Sequence, residues 1–345
     1  MIIEPKRYTS GRIAVANLSA SIASLEVRRV EGASFENLVA LSKLLFLRGD
    51  LLGRIVDHDR AEAVAINAIA LSPGTGDALY TSAFLAERFH RFEEAEELLY
   101  GALEAGYPTI KIDVEKAALL QAKGQYREAL VLREKLAKHD PGIHSLGALA
   151  SLLAEMDDWA AAEAQYVVAL DADNGVSPIP CGQLLFEWGV SAMRQGDLDR
   201  AEEILGELDP ILPEHVPGRG HRAEVALARG QSDLALTLIA PLLDIADDPE
   251  FRATYAEVLA ARGDGEAAAT EAERAAQNYN LLLARRPEAY ADHAAAFFMG
   301  IGNRPQRAVE LASANWKLRD TPRSRKLVAK ALRSAQNQPV TGSVA

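Results

Sequence analysis

The segments Gly124-Gln125-Tyr126-Arg127-Glu128-Ala129 and Gly196-Asp197-Leu198-Asp199-Arg200-Ala201 share a glycine followed five positions later by an alanine. Such an alanine recurs along the chain at steps of 34, 34, 33, 39, 34, 33 and 40 residues. The eight anchor alanines are Ala61, Ala95, Ala129, Ala162, Ala201, Ala235, Ala268 and Ala308. A period near 34 residues predicts eight copies of one structural unit.

A second small residue stands twelve positions before every anchor. These residues are Gly49, Ala83, Ala117, Ala150, Gly189, Ala223, Ala256 and Ala296. Small side chains on two helices let their axes come close, so each unit is predicted to be a pair of helices, A and B. In four units a glycine five positions before the anchor is expected to end helix A in a left-handed conformation. These glycines are Gly124, Gly196, Gly230 and Gly263.

These residues resemble tetratricopeptide repeats over roughly 41–322. The resemblance implies an all-α, right-handed α-solenoid of about eight helix pairs with N- and C-terminal capping helices. We expect an N-terminal extension with a capping helix at 1–35, the solenoid at 36–322, and a basic capping helix with a frayed tail at 323–345. The repeats are expected at 41–75, 76–109, 110–142, 143–178, 182–213, 216–248, 249–287 and 289–322.

Two steps exceed the period. The turn-rich stretch 171–180 predicts a loop between the fourth and fifth units, either a tolerated insertion or a hinge. In the seventh unit, helix B is expected to continue to about Arg285, where Pro287 closes it.

Charge is distributed unevenly along the chain. The net charge is −12, yet the end from Asn303 carries nine Lys/Arg against two acids, about +7. The remaining acidic body repels phosphate backbones, so we expect no nucleic-acid binding. The basic C-terminal helix is either a solvated cap or a surface for an acidic partner.

The sequence lacks familiar catalytic and cofactor motifs. It contains no Walker loop, no HExxH and no GxSxG, so we expect no enzyme and no cofactor. The seven histidines form no helical i, i+4 pair, and no metal site is expected. The single cysteine, Cys181, fits a reducing cytoplasm. No apolar run approaches the ~18 residues of a membrane span.

The resemblance further implies that the A helices line a concave groove. The candidate groove residues are Phe46, Asp50, Tyr80, Phe84, Phe186, His293 and Phe297, fifteen or eleven positions before their anchors. Arg54 joins them because, in a continuous helix, it would pair with Asp50 at i, i+4. Exposed aromatic rings anchor peptides, although the same rings can pack in a core.

Three functions remain open from the sequence. The leading hypothesis is a non-catalytic scaffold or adaptor that binds a peptide or helix of a partner protein in the groove. The alternative is a regulatory module that senses a small ligand or peptide. The third is an enzyme, which requires an enclosed pocket with converging acids or histidines. A clamp for chaperone C-termini is not expected, because these positions lack the Lys and Asn of that subfamily.

Overall fold

The computed structural model describes residues 8–337, which form eighteen α-helices and no strand. The helices are α1 (Gly11–Glu31), α2 (Phe35–Leu52), α3 (Ile55–Leu71), α4 (Gly76–Arg88), α5 (Phe92–Glu104), α6 (Thr109–Ala122), α7 (Tyr126–His139), α8 (Ile143–Glu155), α9 (Trp159–Asp171), α10 (Ile179–Gln195), α11 (Leu198–Ile211), α12 (Val216–Ala228), α13 (Ser232–Ile239), α14 (Pro249–Ala261), α15 (Gly265–Arg285), α16 (Pro287–Met299), α17 (Pro305–Leu318) and α18 (Pro322–Gln336).

Consecutive helices pack as eight A–B pairs, from α2 with α3 to α16 with α17. Neighbouring A helices also pack on one another, as α8 does on α10 and α12 on α14. The all-α solenoid predicted from the sequence is therefore confirmed. The domain limits at 35 and 322 stay a prediction, and the expected tail lies mostly outside the described residues. No helix within 8–337 combines the length and apolarity that crossing a membrane requires.

Small residues bring the two helices of each pair together. All eight anchor alanines are buried, and so are seven of the eight small residues predicted opposite them. The prediction is wrong for Ala296, which is exposed, while Ala295 is fully buried. The reason is that the turn after α16 is longer than in the other units, which shifts the packing position by one residue.

The turns between helices A and B share one backbone conformation. The four glycines predicted to be left-handed have φ between 76° and 88°. The equivalent position is also left-handed in three units without glycine there, at His90, Asp157 and Asn303. Helix α15 ends at Arg285, as the sequence predicted.

The solenoid turns back on itself, so that the first unit meets the end of the sixth unit and the seventh. The carbonyl of Gly53, between α2 and α3, accepts hydrogen bonds from the N–H groups of Asp247 and Asp248, both at 3.2 Å. The Asp247 carboxylate in turn accepts the N–H groups of Ile55 and Val56 in the first turn of α3. We call these five residues the closure contact.

Two further interactions lie beside the closure contact. The ring of Phe251 is packed so closely on Gly53 that an added Cβ would clash with Phe251 Cε2. Arg286 pairs with Asp59 at 2.5 Å and with Glu62, which joins α15 to α3. Apolar packing and ion pairs therefore support the hydrogen bonds between distant units.

Helix α1 connects the first unit to the middle of the solenoid. Tyr8 donates a hydrogen bond to Asp173 Oδ2 at 2.7 Å, and Thr9 N–H donates to the carbonyl of Val176 at 2.8 Å. Both acceptors lie in the loop between α9 and α10, the turn-rich insertion predicted from the sequence. The helix also buries Leu18 and Ile22 in the core that α2 shares. The insertion thus holds the start of α1 in place.

Replacing Gly53 with alanine tests the closure contact. Gly53 and Gly230 have φ of 62° and 76°, so an alanine strains either backbone, by about 1–2 kcal/mol. Only at Gly53 would the new Cβ also meet the Phe251 ring, since Gly230 faces open space. We expect Gly53→Ala to lower the free energy of unfolding by about 1–3 kcal/mol more than Gly230→Ala in urea titrations. Equal losses for the two variants would contradict the contact.

Candidate functional site

The closed solenoid contains a partly open cavity of about 340 Å³, which we call the lumen. Its walls come mainly from A helices, and seven of the eight units contribute to them; only the third unit does not. The charged and histidine residues of the lining are Asp50, His58, Arg88, Glu187, Arg194, His221, Asp248, Glu250 and His293. The lumen is therefore a polar site, unlike the apolar core between the helices.

One wall of the lumen carries a cluster of Asp50, His58 and Arg88. Asp50 Oδ1 accepts a hydrogen bond from the Arg88 guanidinium and lies 3.0 Å from His58 Nε2. Burial is the main cause that lowers the pKa of His58, so the ring is neutral at pH 7. The Arg88 guanidinium also lies over the ring of Phe46, 5.6 Å from its centroid. The cluster holds a fixed arginine at the surface of the cavity.

The predicted pairing of Asp50 with Arg54 is wrong. Helix α2 ends at Leu52, and the left-handed Gly53 turns the chain, so the two residues do not share a helix. Arg54 instead lies 3.4 Å from Asp57, which is fully buried.

Asp57 is the centre of the charged stretch 48–60. Arg48 binds both of its carboxylate oxygens, with Nε at 2.8 Å and Nη2 at 2.6 Å, and Arg60 approaches at 3.3 Å. This bidentate pair joins α2 to α3 within the first unit. Most of the stretch therefore has a structural role, and only Asp50 and His58 among its charged and histidine side chains line the lumen.

A second group of charged side chains at the lumen pairs two histidines with two glutamates. His221 Nδ1 lies 2.8 Å from Glu224 Oε2, and His293 Nδ1 lies 3.4 Å from Glu250 Oε2. The charge of Glu250 is the main cause that raises the pKa of His293 to about 10. Burial alone would lower the pKa of His221, but the nearby Glu224 raises it. His293 is thus a cation at neutral pH.

Arg194 enters the lumen from α10 and forms no ion pair with any residue in the described part of the chain. Its side chain is exposed to solvent where it lines the cavity. Burial, with Arg323 adding to it, lowers the pKa of Arg194 to about 10. The arginine stays charged at neutral pH and can therefore bind an anionic group of a ligand.

The eight candidate residues fall into three groups. Asp50, Phe186 and His293 line the lumen. Phe46, Tyr80 and Phe297 are only 3%, 8% and 5% exposed, so the expectation that these rings face a groove is wrong for them. Phe84 is half-buried, and Arg54 lies outside the lumen.

The buried rings are held by other aromatic side chains. Phe46 packs edge-on against Phe84 with ring centroids 5.5 Å apart, and Phe297 lies 5.0 Å from Tyr279. Tyr80 stacks on Tyr107 at 4.3 Å, and its hydroxyl donates to Glu115 at 2.7 Å. Packing between helices accounts for these rings without any ligand.

Solved structures show which fold this arrangement has. Yeast Tom70 is similar with a TM-score of 0.52 at 15% identity, over 89% of this chain and 65% of that chain. Cut9 in the APC/C hetero-tetramer Cut9–Hcn1 is similar with a TM-score of 0.50 at 14% identity, over 86% and 55%. Both are tetratricopeptide-repeat proteins. The chain has the tetratricopeptide-repeat fold.

Comparisons of the sequence itself add no relative to these structural matches. No family model matches the sequence, and a search of the curated proteins gives no match. Among the solved structures, a tetratricopeptide repeat protein from Parabacteroides merdae is also similar, with a TM-score of 0.46 at 19% identity, over 71% of this chain and 93% of that chain. This chain spans only 55% and 65% of the Cut9 and Tom70 chains.

Sequence reasoning missed most of the lumen of this tetratricopeptide solenoid. Arg88, Arg194, His221 and Glu250 lie in four different units, so no local motif joins them. The sequence feature that could have indicated this group is the repeat position: Glu224 stands eleven positions before its anchor, as Asp50 does in the first unit.

His215 provides a pH-dependent test of the lumen region. It caps α12, and its Nδ1 accepts the N–H of Gly218 at 3.0 Å, which requires a neutral ring. Burial lowers its pKa from 6.5 to about 3. Below pH 6.5 the unfolded chain therefore binds a proton that the folded chain does not, and stability falls as the pH falls towards 3.

We expect His215→Asn to weaken this pH dependence, because asparagine also caps helices but does not titrate. Urea titrations near pH 7 and about pH 5 measure the loss of unfolding free energy for both proteins. The loss should be smaller in the variant. Identical losses would show that His215 is protonated, or exposed, in the folded state.

Proposed function

We propose that the protein is a non-catalytic interaction scaffold that binds a short, extended segment of a partner protein in the lumen. The supporting observation is a cavity with A helices of seven units in its walls, carrying an available arginine, a protonated histidine and acidic groups. An extended peptide offers backbone donors and acceptors together with charged side chains, which this lining can pair with.

The volume of the lumen narrows the class of occupant. Two turns of an α-helix about 10 Å wide fill on the order of 850 Å³, well above the cavity. The lumen of about 340 Å³ therefore suits an extended segment of a few residues, or a ligand of similar size, better than a helix.

Phe186 is the aromatic side chain best placed to anchor such a segment. It lies on α10 in the wall of the lumen, between the rings of His215 and His221 at 4.9 Å and 5.6 Å. These neighbours hold the ring at one position, and rigid aromatic anchors bind at low entropic cost.

The chemistry of the lumen supports binding more than catalysis. Converging acids and histidines are the feature that an enzyme would need, and the lumen has them. However, His293 is already protonated at neutral pH and paired with Glu250, so it cannot serve as a general base. Within residues 8–337 no serine is hydrogen-bonded to a histidine, as an activated serine nucleophile would be.

A second candidate function is the sensing of a small ligand. Asp248 belongs to the closure contact, Phe251 packs on Gly53 within it, and both residues also line the lumen. A ligand there would touch the residues that close the solenoid, and so favour the closed form by mass action.

Two further proposals concern the surroundings of the protein. Helix α18 exposes Lys326, Lys330 and Arg333, which supports an acidic partner on that helix. The single cysteine, Cys181, is buried and forms no disulfide, which supports a cytoplasmic location.

The proposed binding is tested by selecting peptides from a random library on the full chain and measuring their affinity by fluorescence polarisation. We expect Phe186→Ala to weaken a selected peptide about tenfold or more, because the variant removes the aromatic anchor. Tyr100→Ala is the matched control, since Tyr100 is 66% exposed on α5, outside the lumen. It should leave the affinity unchanged.

Two outcomes would overturn peptide binding in the lumen. One is the failure of any library peptide to bind. The other is a peptide whose affinity Phe186→Ala and Tyr100→Ala change equally. A metabolite that raises the melting temperature, in the absence of any bound peptide, would favour the sensing function instead.

A further inference from the structure

Three successive A helices bring metal-ligating side chains to one point of the lumen wall. His221 and Glu224 stand one turn apart on α12, and Glu250 lies in the first turn of α14. One ligand atom from each of the three lies within 4.8 Å of the others. On the next A helix, α16, His293 places Nδ1 3.4 Å from Glu250 Oε2.

We propose that His221, Glu224 and Glu250, with His293 as a fourth ligand, bind a divalent transition-metal ion of the zinc class. The ion displaces the proton that His293 carries in the ion-free protein, because only a neutral imidazole can be a ligand. Zinc sites use imidazole nitrogen and carboxylate oxygen at about 2.0–2.2 Å, so tetrahedral donors lie about 3.4 Å apart. The separation of His293 from Glu250 already has this value. The ligand atoms of His221, Glu224 and Glu250 lie within 4.8 Å of one another, so their separations exceed this value by at most about 1.4 Å, which rotations of the two glutamate side chains supply.

The donor set selects the class of ion. Mg²⁺ and Ca²⁺ prefer six or more oxygen ligands, and a site with two imidazoles offers them too few. Imidazole with carboxylate suits zinc and its neighbours among the transition metals. The single cysteine, Cys181, is buried in the core rather than in the lumen lining, so no thiolate takes part.

Neighbouring side chains hold the ligands in place. Thr254 Oγ1 donates a hydrogen bond to Glu224 Oε1 at 3.1 Å, which leaves Oε2 directed to His221. The His221 ring stacks on Phe186 with an interplanar angle of 22°. Such outer contacts orient metal ligands and raise affinity.

The position in the wall gives an ion access to a further ligand. His221, Glu250 and His293 all line the cavity, so a bound ion would face the lumen. An ion with these four ligands can expand to five-coordinate on that side by taking water or a donor atom of an occupant. The site goes beyond the proposed peptide binding, because metal binding requires no partner protein.

The test is calorimetric titration of Zn²⁺ into the full chain, free of any affinity tag and treated with a chelator. We expect one ion per chain. His221→Gln and Glu250→Gln should each weaken binding about tenfold or more, because each replaces a metal ligand with a glutamine side chain of similar size. The matched controls His144→Gln and Glu93→Gln alter exposed residues outside the lumen and should leave the affinity unchanged.

A spectroscopic measurement on the unaltered chain keeps the test independent of the variants' folding. Cobalt(II) should give the visible absorption of a four-coordinate nitrogen–oxygen site, and zinc should abolish it by displacement. The proposal is overturned if zinc does not bind at one per chain, or if cobalt shows only the spectrum of the hydrated ion. Equal affinity in the lumen and control variants would also overturn it, and would leave these residues as histidine–glutamate ion pairs only.

Discussion

The Asp247 carboxylate binds the first turn of α3 although it stands more than 190 positions away, just before α14. The first N–H groups of a helix have no acceptor within the helix, and their partial positive charge attracts an anion. Asp247 supplies that anion, while Gly53 supplies the carbonyl that accepts the N–H groups of Asp247 and Asp248. This one contact therefore provides hydrogen-bond acceptors for the N–H groups of both chain segments, and no single repeat could provide it.

Enclosure follows from this contact, and the charges of the lumen follow from enclosure. In an open solenoid the A helices face bulk water, where exposed ion pairs contribute little to stability. Inside the closed one, Glu250 raises the pKa of His293 to about 10 and burial lowers that of Arg194 to about 10. Both groups remain cations and can bind anionic groups inside the lumen. Recognition in the lumen thus depends on the closure of the solenoid.

The sequence predicted what is local and repeated. The eight helix pairs, the left-handed glycine turns and the end of α15 at Arg285 follow from spacing and from the size of side chains, which depend on contacts within one unit. Even there, the longer turn before α17 shifted the packing position from Ala296 to Ala295. A change of one residue in a turn alters which face of a helix is buried.

The lumen could be predicted only in part. Asp50, Phe186 and His293 were found because the fold places fixed positions of each A helix on the concave side. The closure contact was not predicted, because it depends on the small rotation between units, summed over seven units. Phe46 instead packs against Phe84 and Arg88 of the neighbouring unit, which leaves its ring buried.

Amide hydrogen exchange at Ile55 and Val56, resolved by NMR, tests the closure of the solenoid most directly. Their N–H groups are bound only through Asp247, whereas Phe92 and Glu93, at the same positions of α5, have no side-chain cap. Closure predicts exchange at Ile55 and Val56 roughly a hundredfold slower than at Phe92 and Glu93, and loss of that protection in Asp247→Ala. Equally fast exchange at all four amides in the unaltered protein would contradict a closed solenoid.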